Sequence, residues 1–194
     1  MRSNPMRVLI AEDEALIRMD LREMLEEEGH EVVAEARDGA EALELARKLM
    51  PDVVFMDIEM PVMNGLEAAC VLTDETIAPV VMVTAFSQAS YVEEACRAGA
   101  MAYLVKPFSK VDVLPALAVA VSRHTEAKEL AEQVSDLNER LETRKALDRA
   151  KGVLMARGMS EPDAFRRLRK LAMDKRLTLR EVAEAVLLAA EAEE

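Results

Sequence analysis

Tryptophan is absent from the chain and aromatic residues make up only 3% of it. Its core must therefore be aliphatic, built from Leu, Val, Ile and Ala with 13 methionines to fill irregular gaps. Histidine is nearly missing: His30 and His124 stand isolated, read as surface residues, and form no nucleophile–base pair for an independent enzyme. The two cysteines, Cys70 and Cys96, both fall in predicted helices, which favours buried free thiols over a disulfide or a metal site. No apolar run approaches the ~20 residues that span a membrane. The start, Met1 to Arg7, is polar and lacks the apolar region of a signal peptide. A soluble, cytoplasmic protein of one or two domains, with no membrane partner, is the expectation.

Charge is plentiful and unevenly spread. The net charge is −12, yet residues 140–180 hold 13 Lys and Arg against 5 Asp and Glu, a local +8. A basic block inside an acidic protein points to a polyanionic partner. A solvated, arginine-rich helix face is the plainer reading.

Four apolar runs end on polar residues. Val8-Leu9-Ile10-Ala11 closes in Glu12-Asp13, Val53-Val54-Phe55-Met56 in Asp57, Val80-Val81-Met82-Val83 in Thr84-Ala85, and Met101 to Val105 in Lys106-Pro107. Buried parallel strands read this way when their carboxyl ends open into a site. Val32 to Ala36 supplies a fifth strand. Helices are predicted over Glu14 to Glu28, stopped by Gly29, and from Asp38-Gly39 to before Pro51. Others follow from about Leu66, over Ser87 to Ala98, and over about Lys110 to Arg123. The alternation predicts an α/β fold for residues 1–123, a doubly wound five-stranded parallel sheet with right-handed crossovers. Three acids, a hydroxyl and a lysine would then meet at one sheet edge. A carboxylate needs such a set to hold Mg²⁺ and accept a phosphoryl group.

Ala127, Leu130, Val134, Leu137 and Leu141 recur at spacings of three and four. Residues 124–144 thus read as a coiled-coil-like helical linker, either a dimer seam or a helix packed on its own domains. Residues 145–194 read as a small all-α three-helix domain. Its first helix spans Lys145 to Met155, Ser160 caps the second, and Thr178 with Glu181 forms a capping box for the third.

Residues 6–123 resemble the receiver domain of two-component response regulators. The carrying motifs are Glu12-Asp13, Asp57 with Met60-Pro61 and Asn64-Gly65, Thr84-Ala85, and Lys106-Pro107-Phe108. The resemblance implies a flavodoxin-like fold and phosphorylation of Asp57 by a sensor histidine kinase. It implies Mg²⁺ held by Glu12, Asp13, Asp57 and the backbone carbonyl of Glu59. Thr84 and Lys106 would bind phosphoryl oxygens, and Thr84 and Tyr103 would act as the switch pair. Glu12 stands where the family often has Asp, and the Lys106–Pro107 bond is expected to be cis.

A DNA-reading helix-turn-helix fits the C-terminal part poorly. Leu177 to Ala183 resembles its first helix, but the chain runs on through Val186 to Ala190 into Glu191, Glu193 and Glu194 with neither turn nor cation. Residues 130–190 instead resemble the ANTAR domain, through Ala150 to Met155, Ser160-Glu161, Ala164 to Arg169, Ala172-Met173 and Glu181-Val182-Ala183. That resemblance implies binding of stem-loop RNA in a nascent transcript leader and transcription antitermination. Phosphate contacts are expected from Arg144, Arg149, Lys151, Arg157, Arg166, Arg167, Arg169, Lys170, Lys175 and Arg176. Lys151, beside Gly152, is the leading single candidate, and Phe165 is assigned to the core.

Together these features predict a phosphorylation-controlled antiterminator that forms a homodimer on phosphorylation. It is not expected to be an enzyme beyond slow loss of its own phosphate. A protein-interaction scaffold without RNA binding and a DNA-binding transcription factor are the alternatives.

Overall fold

The computed structural model describes residues 5–85 and 97–191. The first 128 residues form one compact unit and residues 129–194 a second. In the first unit β1 (Arg7–Ala11), α1 (Ala15–Glu27), β2 (Glu31–Ala36), α2 (Gly39–Leu49), β3 (Val53–Asp57), α3 (Gly65–Asp74), β4 (Val80–Thr84) and β5 (Ala102–Val105) follow in order. The five strands are parallel and lie in the order β2-β1-β3-β4-β5. The predicted helix over Ser87 to Ala98 lies, apart from its last two residues, outside the described residues, as does Cys96.

The apolar runs are continuous because both faces of the sheet are covered. Leu9, Val54, Met56, Val80 and Met82 point to one side, against Ala42, Leu43 and Ala46 of α2 and Ala68, Ala69 and Leu72 of α3. Val8, Ile10, Val53, Phe55, Val81 and Val83 point to the other. There they meet Leu21 and Leu25 of α1 and Val113, Leu117 and Ala120 at the start of α4 (Lys110–Ala156). The helix starts were legible. Asp38 caps α2 by accepting from the Glu41 N–H at 2.9 Å, and Asn64 caps α3 by accepting from that of Glu67 at 2.9 Å.

Several expectations change. Leu16, whose apolar spacing with Ile17, Leu21, Met24 and Leu25 assigns it to the core face of the helix predicted over Glu14 to Glu28, is exposed, and the buried face of α1 is Arg18, Leu21 and Leu25. Cys70 is a free thiol but exposed, since it lies on the outer face of α3. His30 is buried rather than on the surface; its Nδ1 accepts from the Met6 N–H at 3.3 Å. The linker helix and the helix from Lys145 are one: α4 runs unbroken from Lys110 to Ala156, with Pro115 in its second turn. Between Ala116 and Lys151 the chain holds no glycine or proline to stop it.

The second unit comprises the rest of α4, α5 (Glu161–Lys175) and α6 (Leu179–Glu191) around Ala150, Leu154, Ala164, Leu168, Ala172, Val182 and Ala183. Ser160 accepts from the Asp163 N–H at 3.3 Å. Thr178 and Glu181 form a reciprocal box, Glu181 accepting from the Thr178 N–H at 2.7 Å and Thr178 from that of Glu181 at 3.2 Å.

Candidate functional site

Every polar residue closing an apolar run sits at the carboxyl edge of the sheet. Glu12 and Asp13 follow β1, Asp57 ends β3, Thr84 ends β4 and Lys106 follows β5. Parallel strands bring these ends together; β3 pairs Asp57 with Val83, and β4 pairs Thr84 with Val105. The Lys106–Pro107 bond is cis. The Lys106 Nζ lies 2.9 Å from Asp57 Oδ2 and 2.7 Å from Glu12 Oε2. Asp57 Oδ1 accepts from the Ile58 N–H at 2.8 Å. Asp57, Glu12 and Thr84 are buried, whereas Asp13 and the Glu59 side chain are exposed. Tyr103 is half-buried on β5.

Packing carboxylates here has an electrostatic cost. Burial pushes the Glu12 carboxyl up from 4.5 to about 7; nearby Asp57 adds to this and the contact with Lys106 only partly offsets it. Burial also opposes the charge on Lys106, but its contacts with Glu12 and Asp57 outweigh that and raise its pKa. Glu12, Asp13 and Asp57 can each place one carboxylate oxygen within 4.8 Å of the others. Glu12 Oε2 is buried and, despite the nearby ammonium, lacks an aligned hydrogen-bond donor. An oxygen-only donor set gathered at one sheet edge fits a hard divalent cation. The sequence points to these groups because each ends a strand.

Arg18 was not singled out from the sequence. It is buried on α1, and its Nη1 donates to the Glu12 carbonyl at 2.6 Å while its Nε reaches Glu35 at 2.9 Å. The guanidinium thereby ties the acidic loop to β2. A signal existed: Arg18, Leu21 and Leu25 are spaced by three and four, which puts the arginine on the buried face.

In the second unit all ten candidate RNA-binding cations except Lys151 are exposed. Lys151 is half-buried between Asp148 and Glu161, each at 2.9 Å. Arg144 lies 3.9 Å from Asp148 and Arg166 lies 2.5 Å from Asp163. Phe165, assigned to the core from the sequence, is 41% exposed.

A five-stranded parallel sheet with an acidic pair, an aspartate, a threonine and a lysine at its carboxyl edge defines a receiver. The response regulator receiver domain pattern matches residues 8–118 and the ANTAR domain pattern matches residues 135–187. The chain belongs to the response regulators of two-component signalling, with an output of the ANTAR, RNA-binding type. The transcriptional regulatory protein PdtaR of Mycobacterium tuberculosis is 58% identical over 184 residues, 94% of this chain and 90% of that protein. The receiver domain of the response regulator NarL from the same organism is 30% identical with a TM-score of 0.59, covering 62% of this chain and 98% of that one. A Borrelia burgdorferi CheX–CheY complex with BeF₃ and Mg²⁺ is 28% identical with a TM-score of 0.56, over 58% of this chain and 87% of the other. No helix among the described residues is long and apolar enough to cross a membrane.

Proposed function

We propose that Asp57 accepts a phosphoryl group from a sensor histidine kinase and that this controls binding of stem-loop RNA, promoting transcription antitermination. The observation that carries the reading is the Lys106 ammonium set between Asp57 and Glu12 at the edge of the sheet. Asp57 Oδ2 is the accepting oxygen. Lys106 already contacts it and can follow the transferred charge onto a phosphoryl oxygen, with the Thr84 hydroxyl as a second donor. Glu12, Asp13, Asp57 and the Glu59 carbonyl would hold Mg²⁺, which supplies charge neutralisation between carboxylate and phosphoryl oxygens. Phosphorylation adds about −1.5 to −2 charge to the site, which Thr84 and Lys106 answer, with Tyr103 changing its packing. Slow loss of that phosphate is the only turnover assigned to the chain.

The exposed cations of α5 support the RNA half of this reading, as does the name of the mycobacterial relative, a transcriptional regulatory protein. Leu130, Val134, Leu137 and Leu141 form an exposed apolar stripe on α4 that suits a homodimer seam in the phosphorylated protein.

Incubation with a phosphorylated histidine kinase and Mg²⁺ should add one phosphoryl mass to the wild type and none to Asp57→Asn. A tandem stem-loop RNA should be retained at low salt and released as salt rises. A phosphoryl group on Asp57→Asn, or no retained RNA at any salt, would contradict the corresponding half.

A further inference from the structure

Phe165 departs from the pattern of its helix. α5 directs Ala164, Leu168, Leu171 and Ala172 into the core of the second unit, while the phenyl ring stays 41% exposed. It is the only aromatic residue after Phe108. A ring held half in water forgoes much of the stabilisation that burial would give it. It lines a cavity of about 540 Å³ together with Thr143 and Leu147 of α4, a size within the ~300–1,000 Å³ typical of small-ligand sites.

The charge around this cavity narrows what it can hold. Arg140, Arg144 and Lys151 line it, with an equal number of carboxylates. Arg140 is held by Asp136 at 2.8 Å, Lys151 by two carboxylates at 2.9 Å, and Arg144 lies 3.9 Å from Asp148. Cations already matched in this way leave little net attraction for a phosphate. They do suit a neutral, planar heterocycle. The ring offers a stacking face, the carboxylates accept from exocyclic amines, and the guanidinium groups donate to ring nitrogens and carbonyls. Phosphates have other partners on the same helix: Arg167, Arg169 and Lys170 pair with no carboxylate among the described residues.

We propose that this cavity receives one unpaired base from the loop of a bound RNA hairpin, stacked on Phe165, while the free cations of α5 take the backbone. This rests on the RNA-binding reading above. It divides the domain into a neutral, base-reading pocket and a basic, sequence-blind surface.

The test uses the full chain and a stem-loop RNA carrying 2-aminopurine at successive loop positions. Wild type should quench the fluorophore at one position, and Phe165→Ala should abolish that quenching and weaken binding about 5- to 150-fold. The slope of log affinity against log salt should stay unchanged, because no phosphate contact is lost, whereas Arg167→Ala should lower it by about 0.7–0.9. Phe165→Tyr should bind as wild type. Phe165→Leu, which keeps apolar volume without a π-face, should lose the quenching even if the alanine variant folds poorly.

Wild-type affinity and quenching in Phe165→Leu would overturn this proposal alone. A change in self-association by sedimentation with RNA binding intact would assign the cavity to a second copy of the chain and also overturn it. No RNA binding by wild type at low salt would overturn the RNA-binding reading as well.

Discussion

At the scale of single residues the acidic site is a compromise between packing and charge. Burial raises the Glu12 pKa to about 7 against an ordinary 4.5, so the folded chain holds this proton more tightly than the unfolded one. The resulting stabilisation is fully present below pH about 4.5 and is lost as pH rises to about 7. In chelated buffer Glu12→Gln should therefore melt above wild type at pH 8, with the gap closing toward pH 5; a lower melting temperature at pH 8 would refute this. Adding Mg²⁺ should stabilise wild type more than Glu12→Gln, because a ligand stabilises the state that binds it. Lys106→Met leaves Glu12 and Asp57 without their ammonium. It should cost about 2 kcal/mol in urea unfolding at neutral pH, less than the ~3–5 of a fully buried pair because the site is open at one edge. Gly65 makes a different demand, since a Cβ there would collide with the Asp57 carbonyl. Gly65→Ala should lower both the melting temperature and the rate of phosphorylation by acetyl phosphate. The strand-end residues were legible because each interrupts an apolar run. His30 was not, and Arg18 only through its spacing from Leu21 and Leu25, because hydropathy treats a buried polar group as a surface group until its partner is known.

At the scale of elements, caps and apolar periodicity made most of the fold legible. Asp38, Ser160 and Thr178 act as the N-caps their sequence contexts predict, and the five strands fall on their apolar runs. Ser160→Ala should cost the second unit about 1 kcal/mol by urea unfolding. The length of α4 was the harder feature. Apolar phase falters near Arg144, yet the helix continues, because good helix formers without a breaker keep the backbone in register even where no face is buried. Phe165 misled for a related reason: its spacing from Leu168 and Ala172 matches a core face, but the cavity beside α4 leaves the ring in solvent. The Leu137 side chain is also exposed, at 62%. Leu137→Glu should leave the melting temperature within a degree or two and weaken any self-association seen by sedimentation after phosphorylation. Unchanged association would remove that stripe as the seam.

At the scale of the whole molecule, an acidic receiver is joined by one helix to a unit that carries the basic block of residues 140–180, and signalling requires that the two influence each other. Coupling of this kind amounts to about 5- to 150-fold in affinity. The direct measurement is the affinity of wild type and Asp57→Asn for a tandem-hairpin RNA, with and without acetyl phosphate and Mg²⁺, with phosphorylation followed by mass. Wild type should bind more tightly once phosphorylated and Asp57→Asn should show a single affinity throughout. Equal affinity of phosphorylated and unphosphorylated wild type would contradict the claim that the phosphoryl site governs RNA binding.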